Sequence, residues 1–168
     1  IFGFSSATKT FVSNLVGRNE QHLIPKTQLK IMVLSFSSII LIFHGAFLYP
    51  ELLIAAVNHN PDISPEVLKD SALALRFVSG SIILYAVAAI PYHSISALGK
   101  TRLAFGIECL GIGFYLIGCY LFIEIWQWDI VRVWWVEYIY FGALAVASAL
   151  YLYVNRFQLG LQLKTGQT

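Results

Sequence analysis

The chain has 168 residues and a formal net charge of +2. Hydrophobic residues make up 58% of it and charged residues only 12%, whereas an ordinary soluble domain carries about 25% charged residues. This composition excludes an ordinary soluble domain, and the small charge, with no basic and aromatic surface pattern, predicts no nucleic-acid partner.

The opening segment, residues 1–17, has the pattern of a helix that ends at Gly17. Glycine commonly follows the last turn of a helix. Because the helical pattern is already under way at Ile1, we interpret this segment as the end of a helix and the chain as a fragment of a longer protein. The apolar side chains that recur at helical spacing are Phe4, Ala7, Phe11, Val12, Leu15 and Val16.

Four long apolar stretches follow, and each is predicted to cross a membrane. A bilayer core needs roughly 20 mostly apolar residues per helix, with about 17 to 25 tolerated. We therefore predict an all-α polytopic membrane protein, with residues 1–168 as one membrane domain in contact with lipid. The predicted spans cover about residues 31–49, 71–98, 103–123 and 135–155, and residues 156–168 form a tail.

The segments between these spans alternate in charge. Residues 18–30 and 99–102 and the tail are basic, whereas residues 50–70 and 124–137 are mostly acidic, and the last of these holds all four tryptophans. Basic short loops stay in the cytoplasm, and tryptophan favours the headgroup level. The basic segments are therefore predicted to be cytoplasmic and the two acidic loops external.

The second loop is predicted to contain the start of a helix. Its residues 58–62 are rich in turn-forming types. Ser64 then has the right side chain to cap a helix that begins at Pro65.

Glu108 is the strongest candidate for a functional residue, since an ionisable group at membrane depth is costly. It lies about five residues, or roughly 7.5 Å, from the middle of its span. At helical spacing it shares a face with Gly111, Tyr115, Gly118 and Phe122, and glycines on membrane helices mark close helix contacts. This face is predicted to point inward. Two roles stay open for Glu108: transport chemistry, or a structural carboxylate that is hydrogen-bonded to a neighbouring helix or lies near the basic loop.

Arg76 begins the second span on its external side. Its long side chain could reach the headgroups, and Glu66 and Asp70 of the same helix could help to solvate it. We favour this interfacial role and also list Arg76 as a pathway candidate.

Three further residues of the second span are candidates. Pro91 removes a backbone donor and is predicted to kink the helix, as a hinge. Tyr85 and Tyr92, one heptad apart, share a face near it. They could line a pathway and stack on a cationic, apolar substrate, or they could simply pack between helices.

The sequence carries no zinc-protease, nucleophile-elbow or phosphate-binding motif, so we expect neither an enzyme nor a cofactor or metal site. Several segments instead resemble the multidrug and toxic compound extrusion (MATE) transporters, including members from Bacteroidetes-type bacteria. In order, these segments are Ala7–Asn19, Asn60–Asp62 with Pro65–Val67, Ser96–Arg102 and Glu137–Tyr140.

The resemblance implies the last part of the C-terminal six-helix lobe: the end of helix eight and then helices nine to twelve. It implies export of an organic cation or drug-like compound in exchange for protons or sodium, in a bacterial inner membrane, with the remaining transporter helices as partners. Two departures matter. Ala97 stands where the family often has glycine, and residues 77–98 lack the carboxylate that binds a cation in some members. We therefore transfer no sodium site: coupling could lie elsewhere, or Glu108 could supply it.

Two other functions stay open at this point. One is a lipid-linked saccharide flippase of the same superfamily, which would have a larger and more basic cavity. The other is a non-transporting four-helix membrane subunit that acts as a scaffold for a partner.

Overall fold

A computed structural model describes residues 2–57, 64–156 and 158–160 of the chain. These residues form helices and no strands, which confirms the all-α prediction. A 3₁₀ turn, Gln21–Leu23, precedes α2, and a π-helical turn, Leu121–Ile125, follows α5. The α-helices are α1 (Phe2–Gly17), α2 (Ile24–Leu48), α3 (Pro50–Val57), α4 (Pro65–Ala97), α5 (Thr101–Tyr120), α6 (Ile130–Val133) and α7 (Trp135–Val154).

Four of the helical segments are long and apolar enough to cross a bilayer. They are Gln21–Leu48, Pro65–Ala97, Thr101–Ile125 and Ile130–Val154. Large apolar side chains on them stand fully outward, such as Leu41 at 73%, Phe105 at 69% and Val146 at 67% exposure. Exposure of so much apolar surface to water is unfavourable, whereas its contact with lipid acyl chains is not. The prediction of a multi-pass membrane protein is confirmed.

The helix ends follow from local chemistry. Pro25 lies in the first turn of α2, where its missing N–H costs nothing. The predicted cap is confirmed, since the Val67 N–H donates to Ser64 Oγ over 3.3 Å and α4 begins at Pro65. Gly99 turns the chain into α5 with a φ of +78°, a conformation that glycine adopts without strain. Ala97 is the last residue of α4. Its φ is not positive, so alanine is tolerated at this position.

The loops contain more structure than the sequence predicted. Residues 50–70 were expected to be a loop up to Pro65, yet Pro50–Val57 forms α3. The fourth loop likewise contains α6, which is capped by the Asp129 carboxylate. The turn-rich residues 58–62 lie outside the described part of the chain. The predicted span 71–98 belongs to a longer helix that starts at Pro65.

Helix α4 lies in the middle of the structure. It packs against α1, α2, α3, α5, α6 and α7, and much of its buried surface is alanine and serine, which allow close helix approach. The largest core cluster joins α1, α2, α4, α5 and α7 through Val12, Ile24, Ala88, Ile95, Ala104, Ile107, Leu144 and Leu152.

The bundle has two chemically different ends. At the end we call the basic end, Leu98 and Leu159 pack on the same core cluster, and the Gln21 side chain lies beside Gly160. The first connection, the third connection and the start of the tail therefore meet there. At the opposite, tryptophan-rich end, Asp70, Trp128 and Trp135 line one cavity. Lys164 lies outside the described residues.

Candidate functional site

The face of α5 that contains Glu108 packs against α7. A Cβ at Gly111 would lie 3.1 Å from the Tyr140 ring, and one at Gly118 would lie 2.8 Å from Val136 Cγ2. Tyr115 contacts the Tyr140 ring edge-on, with centroids 6.0 Å apart. The predicted inward direction of this face therefore agrees with the structure, and its glycines bring α5 and α7 close together.

Glu108 meets a hydrogen-bond donor from α7. The Tyr140 hydroxyl donates to Glu108 Oε1 in a short hydrogen bond. The carboxylate is partly buried, so a directed donor replaces water that the apolar surroundings exclude. The Tyr140 ring lies over Gly111 and against Tyr115 and Phe141, which holds its hydroxyl in place.

Two tyrosines of α4 complete this site, which we call the Glu108 cluster: Glu108, Tyr140, Tyr85 and Tyr92. The hydroxyls of Tyr85 and Tyr92 both interact electrostatically with the Glu108 carboxylate. Tyr85 packs on Phe141, with ring centroids 4.7 Å apart. The structure thus brings together three residues that the sequence singled out separately and adds Tyr140, which it did not.

The surroundings of the cluster add polar groups from α1 and α4. Ser5 of α1 lies close to the Tyr85 hydroxyl, and its buried Oγ has no hydrogen-bond partner among the described residues. His93 of α4 interacts electrostatically with Glu108 and with Lys9. The cluster is therefore a polar site among α1, α4, α5 and α7, in helices that are otherwise apolar.

The cluster does not resemble a metal cage. In the part of the chain that the structure describes, no three His, Cys, Asp or Glu side chains come together as metal ligands would. Glu108 is a single carboxylate surrounded by hydroxyl groups. Such a set suits proton exchange, because a phenol can both donate and accept a hydrogen bond.

Arg76 lies apart from the cluster. Its guanidinium Nη2 contacts Glu51 Oε1 of α3 at 3.1 Å. Glu66 and Asp70, expected from the sequence to solvate it, do not contact it, because α3 places a carboxylate there instead. The two side chains are 41% and 50% exposed, so this ion pair fixes α3 to α4 near the surface.

Pro91 lies inside α4, which continues as one helix through it to Ala97. The position leaves the Val87 carbonyl without its usual backbone donor. Because Tyr85 and Tyr92 lie on either side of it, a change in bend here would move both tyrosines relative to Glu108. Its role as a hinge stays a prediction.

The contacts of Tyr140 with Glu108 and of Glu51 with Arg76 were not predicted from the sequence, and the reason is the same for both. Each contact joins residues far apart in the chain, 32 and 25 positions respectively. A tyrosine in an apolar span carries no signal of which way it points. Glu51 lies just after a proline at the end of a span, which could have indicated a helix start.

Comparison with known proteins gives one family match. The family model MatE matches residues 1–121, from α1 to the start of the π-helical turn. No curated protein and no solved structure gives a match. The matched region contains Glu108 and both α4 tyrosines, whereas Tyr140 lies beyond it.

Proposed function

Since this chain belongs to the MatE family, a family of efflux or flippase-type transporters, we propose that it is part of a secondary-active exporter of organic, drug-like compounds. Inward flow of protons or sodium ions drives the export. The basic end lies in the cytoplasm and the tryptophan-rich end lies outside, in a bacterial inner membrane. The remaining helices of the transporter complete the pathway.

The observation that carries this proposal is the Glu108 cluster. A carboxylate among membrane helices is retained where it serves a pathway or a relay. Here two other helices supply its neighbours: α4 through Tyr85 and Tyr92, and α7 through Tyr140. Any rocking of α4 or α7 against α5 changes the surroundings of the carboxylate, which is what coupling to alternating access requires.

The chemistry of the cluster favours the proton as the coupling ion. The Tyr140 hydroxyl lies within hydrogen-bond reach of Glu108 Oε1, and an ionised carboxylate accepts from it. When Glu108 is protonated, its own O–H can donate to the same phenol oxygen. One contact therefore serves both states.

The tyrosine rings also supply surface for a substrate. Aromatic faces attract organic cations, more strongly where water is excluded. Tyr85 and Tyr92 are half-buried, and both lie close to the negative charge of Glu108. Proton and organic cation would then compete for one negative region, and this competition is the simplest basis for antiport.

Gradient-driven efflux of ethidium from proteoliposomes that contain the full-length protein tests the proposal. We expect Glu108→Gln to lower the rate at least about tenfold, which corresponds to a rise of about 1.4 kcal/mol in the barrier. The matched control is Glu124→Gln, which removes an exposed carboxylate from the end of the same segment. Efflux that survives in both Glu108→Gln and Glu108→Ala would rule out coupling through this residue.

The two other functions predict different results. A flippase for lipid-linked saccharides requires a cationic cavity, yet Arg76 is already paired with Glu51. A scaffold subunit predicts no ethidium flux under any gradient. A flippase of lipid-linked saccharides likewise predicts no ethidium flux, so the assay separates the exporter from both alternatives.

A further inference from the structure

The cavity at the tryptophan-rich end is lined by none of the residues of the Glu108 cluster. Its volume is about 450 Å³, which falls in the range of small-molecule sites, about 300–1,000 Å³. Three aromatic side chains form its walls: Phe77 of α4, Trp128 of the fourth loop and Trp135 of α7. The cavity is open to the outside of the bundle.

The aromatic walls are held in place. Trp128 stacks on Phe122 with centroids 4.3 Å apart, and its backbone N–H donates to the Phe122 carbonyl over 2.8 Å. Phe77 meets Trp135 edge-on at 5.5 Å, and the Tyr138 hydroxyl donates to the Phe77 carbonyl over 2.9 Å. Rings that are already ordered lose little freedom when a ligand binds.

The charged groups of the cavity leave one carboxylate uncompensated. Asp129 Oδ1 accepts from the Arg132 backbone N–H at 2.9 Å. Asp129 Oδ2 forms an ion pair with Arg132 Nε at 3.3 Å, so these two charges cancel. Asp70 of α4 also lines the cavity and has no ion-pair or hydrogen-bond partner among the described residues. Two carboxylates and one guanidinium give a net charge of −1 beside three aromatic rings.

We propose that this cavity binds the substituted ammonium group of an organic amphiphile. Aromatic faces and one free carboxylate are the groups that recognise an alkylated ammonium ion. Tryptophans at this level also suit a ligand whose charged group remains near water while its apolar part enters the membrane. The ammonium group comes either from an exported cation on its way out or from a lipid headgroup.

Equilibrium dialysis of radiolabelled benzyltrimethylammonium against the full-length protein in maltoside detergent tests this site. We expect Asp70→Asn to weaken binding about three- to tenfold and Trp128→Leu by a similar factor, since each removes one of the attractive groups. The neutral isostere neopentylbenzene should bind at least about tenfold more weakly than the cation. Asp70 is exposed, so its replacement leaves the fold intact.

Two matched controls accompany these variants. Glu124→Gln removes an exposed carboxylate at the same end that does not line the cavity, and Trp134→Leu alters a ring that borders a different cavity, beside Tyr115 and Val136. Both should bind the probe as the parent does. Glu108→Gln removes any probe that binds at the Glu108 cluster, and in that background Asp70→Asn should weaken the remaining binding by the same factor, so this test can fail independently of the proposed coupling.

Competition distinguishes the two sources of ammonium. Displacement of the probe by glycerophosphoethanolamine, but not by glycerophosphoglycerol, assigns the site to a lipid headgroup. Displacement by ethidium, but by neither of these two compounds, assigns it to an exported cation. Equal binding of cation and neutral isostere, or parent-like binding by both Asp70→Asn and Trp128→Leu, would overturn the proposal.

Discussion

The hydrogen bond from Tyr140 to Glu108 can be measured with a double-mutant cycle in the full-length protein. Tyr140→Phe removes the hydroxyl and keeps the ring that packs over Gly111 and against Tyr115. Glu108→Met removes the acceptor and keeps an unbranched side chain of similar volume. Taking a carboxylate out of the membrane can stabilise the protein by itself, and the cycle cancels that effect.

The expected coupling follows from the nature of the contact. Hydrogen bonds to charged groups contribute about 1.5–3 kcal/mol, whereas interhelical hydrogen bonds in membranes average about 0.6 and reach about 1.7 kcal/mol. The Tyr140–Glu108 contact is charge-assisted but only partly buried, so we expect about 1.5 kcal/mol. The free energy of unfolding is measured by titration from maltoside into sodium dodecyl sulfate micelles.

A second cycle provides the control. Tyr138 is two residues from Tyr140 on α7, and its hydroxyl donates to the Phe77 carbonyl instead. Tyr138→Phe should therefore be additive with Glu108→Met within about 0.5 kcal/mol. A Tyr140–Glu108 coupling no larger than that of this control pair would refute the arrangement of α5 against α7 and remove the basis of the Glu108 cluster.

Two further predictions concern helix packing. A Cβ at Gly80 would overlap the Tyr138 hydroxyl, so Gly80→Ala should lower the free energy of unfolding by about 1–3 kcal/mol. A Cβ added at Gly113 would have nothing within 4 Å, so Gly113→Ala should leave the free energy of unfolding unchanged or raise it. Equal effects of the two substitutions would contradict the contact between α4 and α7. Arg76→Gln should lower the free energy of unfolding by at most about 1 kcal/mol, because the ion pair with Glu51 is half-exposed. This decrease should be smaller in 0.5 M salt. A decrease above about 3 kcal/mol would show that the pair is buried.

Local sequence patterns predicted the structure correctly where only a few neighbouring residues determine it. Ser64 before Pro65 predicted the start of α4, since a cap needs only the next three residues. Helical spacing alone also identified the buried face of α5, because Glu108, Gly111 and Gly118 fall on one side of any helix. α3 was not predicted because this segment of eight residues is short, begins with Pro50 directly after a span and was therefore assigned to the second loop.

The sequence by itself determined that the chain lies in a lipid bilayer. It has four apolar stretches of bilayer length, joined by connections that alternate between basic and acidic, and this pattern admits only a membrane helix bundle. It also predicted Glu108 as a candidate for its position within a span, and Tyr85 and Tyr92 for the face that they share near Pro91. Only the tertiary structure decided that they form one cluster, that Tyr140 supplies the donor and that Glu51 neutralises Arg76. Spans that are apolar on every side carry no periodic signal for rotation about their axes, so which side chains meet depends on how the helices pack.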